Sequence, residues 1–258
     1  MKRESFYQRH EGLILGGGAV IVVFAAWEFI WQQGWISPLF FSGPSEILKE
    51  FRVQWTEGTL RSDMLFSGKN FIVGVSLATV TAVILGVMIG WYRRIRLIFD
   101  PFVNALYATP RIAMIPLIII AVGIDWKAKA FIVFMSSFFP ILVNTVAGVR
   151  SLDPDLLRAA KAFCASDWQI FKTIAIPGSV PFILTGIRQG VAIGLIGLVV
   201  GEMYGGSEGV GYQLVVAGQQ FRADIAFVGV LVVAAAGMLL TFLTERLERR
   251  FSRWRPER

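Results

Sequence analysis

Residues 70–92, NFIVGVSLATVTAVILGVMIGWY, form a stretch of 23 residues without a charged side chain. As an α-helix, a stretch of this length can cross the roughly 30 Å hydrocarbon core of a bilayer, which takes about 20 residues. Two further stretches, 130–149 and 225–244, are each 20 residues long and equally free of charge. These stretches decide the fold class: the sequence predicts an all-α protein that spans a membrane.

Three more apolar stretches qualify as spans, each with a single charged residue. They are 13–31, 102–122 and 179–201, and the charged residues are Glu28, Arg111 and Arg188. The first stretch is long and lacks a small-residue cleavage site, so we interpret it as an uncleaved anchor rather than a signal peptide. We expect six transmembrane helices in one membrane domain over residues 1–258. Pro110, Pro116 and Pro140 should kink the third and fourth helices.

The composition excludes several classes of protein. Hydrophobic residues make up 55% of the chain and charged residues 17%, against about 25% charged in soluble domains. An ordinary soluble enzyme of this size would lack the polar surface to cover such a core, and 21 Phe and 8 Trp exclude disorder. With one cysteine and one histidine, His10, the chain cannot build a disulfide, a metal cluster or a Ser-His-Asp triad. We therefore predict no catalytic residue and no metal site.

The distribution of Lys and Arg predicts the orientation. Sixteen of them fall on one side of the predicted helices and seven on the other. The sixteen lie at 2–9, 93–96, 150–172 and 246–258. Because positive residues accumulate on the cytoplasmic side, both termini are predicted to be cytoplasmic. The net charge of +7 then reflects topology and attraction to anionic membrane lipid, and does not indicate nucleic-acid binding.

The cytoplasmic connection after the fourth span is far longer than two antiparallel helices need. It covers residues 150–176 and is strongly patterned. Asp153 followed by Pro154 predicts a helix start, and Ser166 with Gln169 predicts a capping box at the start of a second helix. Pro177 and Pro181 should end that second helix and restart the chain into the fifth span. The result is two short helices joined at an angle.

Large apolar side chains on this helix pair must be buried against something. One interpretation is packing on the cytoplasmic ends of the chain's own helices. The other is docking into a cleft of a separate soluble subunit, with Phe163, Trp168 and Phe171 as anchors.

The same connection carries a resemblance to a known family. Arg158-Ala159-Ala160, three residues, Cys164, nine residues and Ile174-Ala175-Ile176-Pro177 resemble the coupling-loop motif of ABC importer permeases. That motif reads Glu-Ala-Ala, three residues, Gly, nine residues, Ile, one residue, Leu-Pro. Segments 138–145, 149–154, 165–171, 181–188 and 205–212 resemble the nitrate/sulfonate/taurine branch. By a resemblance over roughly residues 27–250, the chain is identified as a type I ABC importer permease.

The resemblance implies the membrane subunit of an importer in the bacterial inner membrane. Two copies of a cytoplasmic ATPase would bind ATP and Mg, and an external binding protein would deliver the solute. A second copy of this chain would complete a homodimer, or a close relative of it would complete a heterodimer. The chain itself would be non-catalytic and bind no cofactor, and it has no phosphate-binding Gly-x-x-x-x-Gly-Lys-Ser/Thr motif. The implied coupling loop, about residues 150–177, includes Arg158, Ala159, Ala160, Phe163, Cys164, Ser166, Trp168, Gln169, Phe171, Ile174 and Pro177.

Departures from the motif carry expectations of their own. Arg158 stands where the family has Glu, so we expect an altered, acidic surface on the partner ATPase. Cys164 stands where the family has Gly, so we expect a turn outside the left-handed conformation and a buried, small side chain.

Candidate pathway residues lie within the spans. Arg111 and Arg188 fall near mid-bilayer, where each costs about 2.5–3.5 kcal/mol. We interpret Arg188 as structural, binding carbonyls freed by the prolines. Arg111 either attracts an anion in the pathway or pairs two helices. Glu202 near the outer end of the fifth span is a further candidate, and Gly190 and Gly194 allow either sliding contacts or static packing.

The two intramembrane arginines favour an anionic solute such as a sulfonate, taurine, nitrate or a carboxylate. The alternative is a secondary transporter or channel that is not coupled to an ATPase. Such transporters often use buried acids and inverted repeats, and no Asp or Glu lies near a span centre here.

Overall fold

The computed structural model describes residues 6–251 and the side chains of residues 15–250, and every regular element in that range is helical. The helices are α1 (Phe6–Gln32), α2 (Pro44–Thr56), α3 (Leu60–Trp91), α4 (Arg93–Ala108), α5 (Ile115–Val122), α6 (Trp126–Arg150), α7 (Pro154–Ala162), α8 (Asp167–Ile170), α9 (Ile176–Tyr204), α10 (Val210–Gln219) and α11 (Ala223–Phe251). The predicted all-α class is therefore confirmed for the described residues. The side chains of His10 and Arg253 lie outside the part of the chain whose side chains are described.

The candidate membrane spans match the six apolar stretches. Over the described residues, five helices are long and apolar enough to cross a membrane, and a bent pair supplies a sixth. That pair is α4 and the segment Arg111–Val122, which meet at 87°. The chain breaks where Thr109 is extended and Pro110 follows, because proline disfavours the helical conformation in the residue before it. The predicted kink at Pro110 is thus a break, whereas α6 runs on through Pro140.

Contacts between Cα atoms divide the chain into two compact units. The first contains residues 1–61 and 213–232, and the second contains residues 62–212 and 233–258. In the first unit, Ile47 of α2 is buried with Leu60 and Val228. The Trp27 indole donates to the Ser42 carbonyl at 2.9 Å. The single membrane domain expected over 1–258 stays a prediction.

The second unit has a core of α3, α6 and α9 in which glycines allow close approach of the helices. A Cβ atom on Gly86 of α3 would lie 2.7 Å from the Thr145 Cβ, and one on Gly190 of α9 would lie 2.7 Å from the Ile141 Cγ1. These separations are shorter than van der Waals contact, so α6 packs against both neighbours at distances that only glycine permits.

Candidate functional site

The connection between α6 and α9 begins with the predicted helix start. The Asp153 carboxylate accepts a hydrogen bond from the Asp155 amide at 2.8 Å, and Pro154 occupies the first turn of α7. This side chain satisfies one of the amides that a helix start leaves without a partner. The predicted N-cap is confirmed.

Cys164 ends α7 differently from the sequence-based expectation. Its φ is +55°, in the left-handed region, and its side chain is exposed. The Ala165 amide donates back to the Ala160 carbonyl at 3.1 Å, which closes the end of the helix. The expectations of a turn outside the left-handed region and of a buried cysteine are both wrong. The turn demands this conformation, which glycine adopts at the lowest cost.

The second half of the connection starts with the predicted capping box. The Gln169 amide donates to the Ser166 hydroxyl at 3.3 Å, and the Ser166 amide donates to the Gln169 side chain at 2.8 Å. The helix then continues through a π turn, Phe171–Ala175, directly into α9. Residues Asp167–Tyr204 thus form one 38-residue helical run. The expectation that Pro177 and Pro181 end a separate helix is wrong, because the π turn leads directly into α9, with Pro177 in the first turn of α9 and Pro181 inside it.

The predicted anchors do not share one environment. Phe163 is 88% exposed and Trp168 is 66% exposed. Phe171 is half-buried, because its ring packs 5.5 Å from that of Trp168 and 5.4 Å from that of Trp91 at the end of α3. We call the exposed turn 163–168 the coupling turn.

A π turn begins at Phe171 and shifts the register of the residues that follow. It inserts one residue per turn, so side chains after Phe171 rotate relative to an α-helical register. Ile170 and Ala175 become the buried residues, Ile174 is half-buried, and Trp168 stays outside. Regular helical spacing alone would place Trp168, Phe171 and Ile174 on one face.

A cleft of about 530 Å³ opens beside the coupling turn. Its walls are Trp91, Tyr92 and Arg93, from the junction of α3 and α4, and Asp167, Trp168 and Phe171. The residues of the α3–α4 junction were missed by sequence analysis. Two adjacent aromatic residues in front of three arginines were the available signal.

Arg158 on α7 has a partner within the chain. Its guanidinium pairs with the Asp155 carboxylate one turn earlier, and both side chains are exposed. Ala159 is exposed beside it and Ala160 is half-buried. The Arg158 guanidinium thus has an acidic partner within the chain, and the acidic surface expected on the partner ATPase stays a prediction.

Arg111 lies at the break of the third candidate span. Its guanidinium carbon is 5.6 Å from the centre of the Tyr107 ring and 5.9 Å from that of Phe139. The Arg111 Nη1 atom is buried and has no hydrogen-bond partner. Aromatic faces stabilise the cation without neutralising it, so the site keeps an unused donor.

Arg188 on α9 pairs with α11. The Arg188 Nε lies 3.5 Å from a Glu248 carboxylate oxygen, and its Nη1 lies 3.8 Å from one of Glu245. The Thr185 hydroxyl also donates to Glu248 at 2.9 Å. The partners are carboxylates, so the interpretation that Arg188 binds carbonyls freed by prolines is not what this geometry shows.

Gly190 and Gly194 face α6. The Ser137 hydroxyl donates to the Gly190 carbonyl at 2.9 Å, and a Cβ on Gly194 would lie 2.3 Å from that hydroxyl. Both glycines are buried. Because neither residue has a side chain, α9 lies directly against α6 at both positions.

Glu202, at the far end of α9, is fully buried. Its carboxylate accepts from the Ser67 hydroxyl at 2.8 Å and from the Gly211 amide at 2.9 Å. Ser67 and Asp63 were missed by sequence analysis. Their spacing of four on an apolar helix places two polar side chains on one face, which was the signal available.

The described residues contain no group of three His, Cys, Asp or Glu side chains that could hold a metal ion.

Several candidate spans pack closely at glycine residues, and an exposed helical turn lies on the connection between α6 and α9. These features define a multi-pass membrane protein of the transport-permease class.

Comparison with known proteins supplies the family. The model for the binding-protein-dependent transport system inner membrane component matches residues 82–253, and the chain belongs to this family. It is the permease component of an ABC importer, as the resemblance of the coupling loop predicted. The exposed coupling turn is thus found in a chain of the family whose motif it resembles.

Individual relatives agree with this assignment. An ABC transporter permease protein from Brucella melitensis is 32% identical over 82% of this chain and 86% of its own length. The aliphatic sulfonates transport permease protein from Bacillus subtilis is 30% identical over 91% and 85%. The taurine transport system permease protein from Escherichia coli is 28% identical over 93% and 89%.

Solved structures share the fold. The chain aligns with an inward-facing form of the MetNI methionine ABC transporter with a TM-score of 0.67. The alignment covers 78% of this chain and 98% of the other at 17% identity. It therefore supports the all-α permease fold.

Proposed function

We propose that this chain forms the translocation pathway for a small anionic solute and that a cytoplasmic ATPase pair drives it through the coupling turn. The observation that carries the proposal is the single helical run Asp167–Tyr204, which joins the exposed coupling turn to the glycine-lined α9. A push on Trp168 at one end is transmitted along α9 because no loop intervenes.

The ATPase docks on the coupling turn in this proposal. Phe163 and Trp168 are large and exposed, and Trp168 lies in a capped helix start, so both suit anchors that bury in a partner's cleft. Phe171 instead supports Trp168 from behind. ATP and Mg are bound by the ATPase, and the permease chain is non-catalytic and holds no cofactor.

The solute class follows from Arg111. A guanidinium with an unused buried donor between two aromatic rings attracts an anion where the third span is broken. The relatives that transport aliphatic sulfonates and taurine support a sulfonate-like solute. Arg188 is already paired with two carboxylates, so we assign it a structural role.

The assembly is a homodimer in the bacterial inner membrane, with two ATPase copies and an external binding protein that delivers the solute. One chain supplies one coupling turn, and an ATPase pair needs two. The excess of Lys and Arg on the side of the coupling turn supports a cytoplasmic location of that turn and of both termini. A secondary transporter is not favoured, since the relatives are ABC permeases.

Reconstitution tests this function. Proteoliposomes with the permease, its ATPase and its binding protein should accumulate a sulfonate such as taurine only when ATP is hydrolysed. Uptake that persists without ATP, or that follows a proton gradient, would instead support the secondary transporter. Nitrate and a carboxylate as competitors separate the anion classes.

A further inference from the structure

The start of α10 is capped by side chains of two other helices. The Gly209 amide donates to the Asp63 carboxylate at 2.8 Å, the Val210 amide to the Ser67 hydroxyl at 3.0 Å, and the Gly211 amide to the Glu202 carboxylate at 2.9 Å. We call these three hydrogen bonds the trans-cap. Asp63 and Ser67 belong to α3 and Glu202 belongs to α9.

The trans-cap uses the amides that a helix start leaves without a partner. Such amides carry the positive end of the helix dipole, and carboxylates are their most favourable acceptors. The Ser67 hydroxyl, which accepts from the Val210 amide, also donates to the Glu202 carboxylate at 2.8 Å. Glu202 in turn accepts from the Gly211 amide. The three contacts therefore form one network.

Glycine is required for this network to close. Gly209 has a φ of +110°, and a Cβ there would lie 2.5 Å from the carboxyl carbon of Glu202. A Cβ on Gly211 would lie 2.4 Å from the Val199 carbonyl oxygen. Gly209 and Gly211 are thus explained by the close approach of the backbone to α9.

Opening the trans-cap would be unfavourable. Glu202 is 0% exposed and Ser67 and Asp63 are buried. Separating α10 from α9 would leave a buried carboxylate without its donors, which costs far more than exchanging a hydrogen bond with water. Lys129, also buried, adds an opposite charge that attracts Glu202. These contacts therefore favour the closed state of the trans-cap.

Its position gives it a role in transport. Glu202 lies in the last turn of the helical run whose other end is the coupling turn. We propose that Asp63, Ser67 and Glu202 are positioning residues that hold α3, α9 and the first turn of α10 together throughout the transport cycle. Displacement of the coupling turn then moves these three elements as one body. This inference rests on the proposed function, because it needs an ATPase that displaces the turn.

Hydrogen–deuterium exchange on the complete transporter tests the proposal without altering it. The peptide containing the Gly209, Val210 and Gly211 amides should be protected equally in the nucleotide-free state and in the state trapped with ATP and vanadate. Rapid exchange of this peptide in either state would overturn the proposal. ATP-dependent uptake by the same preparation shows separately whether the proposed function holds.

Substitution of Ser67 gives a second measurement. Ser67→Ala removes the acceptor of the Val210 amide and the donor to Glu202, so solute taken up per ATP hydrolysed should fall about tenfold. Ser67→Thr, which keeps the hydroxyl, should restore most of the coupling. Ser76→Ala, at an exposed serine of the same helix, is the control and should match the unmodified protein. Unchanged coupling in Ser67→Ala would contradict the proposal, as would a loss that Ser67→Thr does not restore.

Discussion

The Arg188 guanidinium on α9 lies 3.5 Å from the Glu248 carboxylate on α11, and Glu248 also accepts a hydrogen bond from Thr185 one turn before Arg188. Two side chains of α9 thus converge on one carboxylate of α11. Arg188, the one charged residue of its apolar stretch, is therefore paired with acids of a neighbouring helix.

The ion pair of Arg188 and Glu248 predicts that the two residues contribute jointly to the stability of the protein. Arg188→Ala should destabilise the protein by about 1 kcal/mol, because both side chains are partly exposed. The melting temperature should fall by about 2–4 °C. A double-mutant cycle with Glu248→Ala, read by thermal unfolding in detergent, measures the pair. Strictly additive losses would contradict the pairing, and the exchange Arg188→Glu with Glu248→Arg should recover part of the loss.

Arg111 should affect uptake more than stability. Arg111→Ala removes the positive charge that raises the local concentration of an anion, so uptake should fall about tenfold. Arg111→Lys keeps the charge and is the matched control, with a smaller loss. Both are measured as taurine uptake by proteoliposomes, beside the melting temperature. Normal uptake with reduced stability in Arg111→Ala would assign Arg111 to helix packing instead.

Gly190 should not tolerate a side chain. In Gly190→Ala the Cβ would lie 2.7 Å from Ile141 and 3.0 Å from the Ser137 carbonyl oxygen, which should cost about 1–3 kcal/mol. Gly68→Ala is the control, because a Cβ there meets nothing within 4 Å. That control should gain about 0.5–1 kcal/mol from the helix propensity of alanine. Equal effects of the two substitutions on thermal unfolding would refute the close contact of α9 with α6.

Cys164 should be improved by glycine. Cys164→Gly places the residue best suited to φ +55° at the end of α7 and should raise stability by up to about 1 kcal/mol. Cys164→Val, whose branched Cβ resists this conformation, should lower it. Thermal unfolding of the two variants measures both effects. Stabilisation by Cys164→Val would mean that the left-handed turn is absent in the membrane-bound protein.

Local signals in the sequence predicted much of the site. The N-cap at Asp153 and the capping box of Ser166 and Gln169 depend on residues within three positions of each other, so their pattern is visible without a fold. The apolar stretches identified the spans for a similar reason, since length and hydropathy suffice.

Contacts between distant segments could not be predicted in the same way. The hydrogen bond between Ser67 and Glu202 joins residues 135 positions apart, and neither residue type signals the other. The π turn at Phe171–Ala175 changes which residues are buried without an obvious sequence mark. The conformation at Cys164 was predicted wrongly because a cysteine disfavours the left-handed turn that accompanies the Ala165 to Ala160 hydrogen bond.

The docking role of Trp168 can be measured against a matched tryptophan. Trp168→Ala should weaken binding of the ATPase by about 2 kcal/mol, or roughly 30-fold, because buried tryptophans dominate such interfaces. Trp35→Ala is the control: Trp35 is 71% exposed, against 66% for Trp168, but lies in the connection predicted to be outside. Co-purification and titration of the ATPase give the affinities. Equal affinities for the two variants would place the docking surface elsewhere.

The most direct test uses Cys164, the single cysteine of the chain and an exposed neighbour of Phe163. A membrane-impermeant maleimide should label Cys164 in inside-out vesicles stripped of the ATPase and should not label it in sealed right-side-out vesicles. Rebinding the ATPase to the inside-out vesicles should block labelling. Labelling from the outside, or undiminished labelling with the ATPase bound, would contradict the account in which an ATPase drives this permease through its coupling turn.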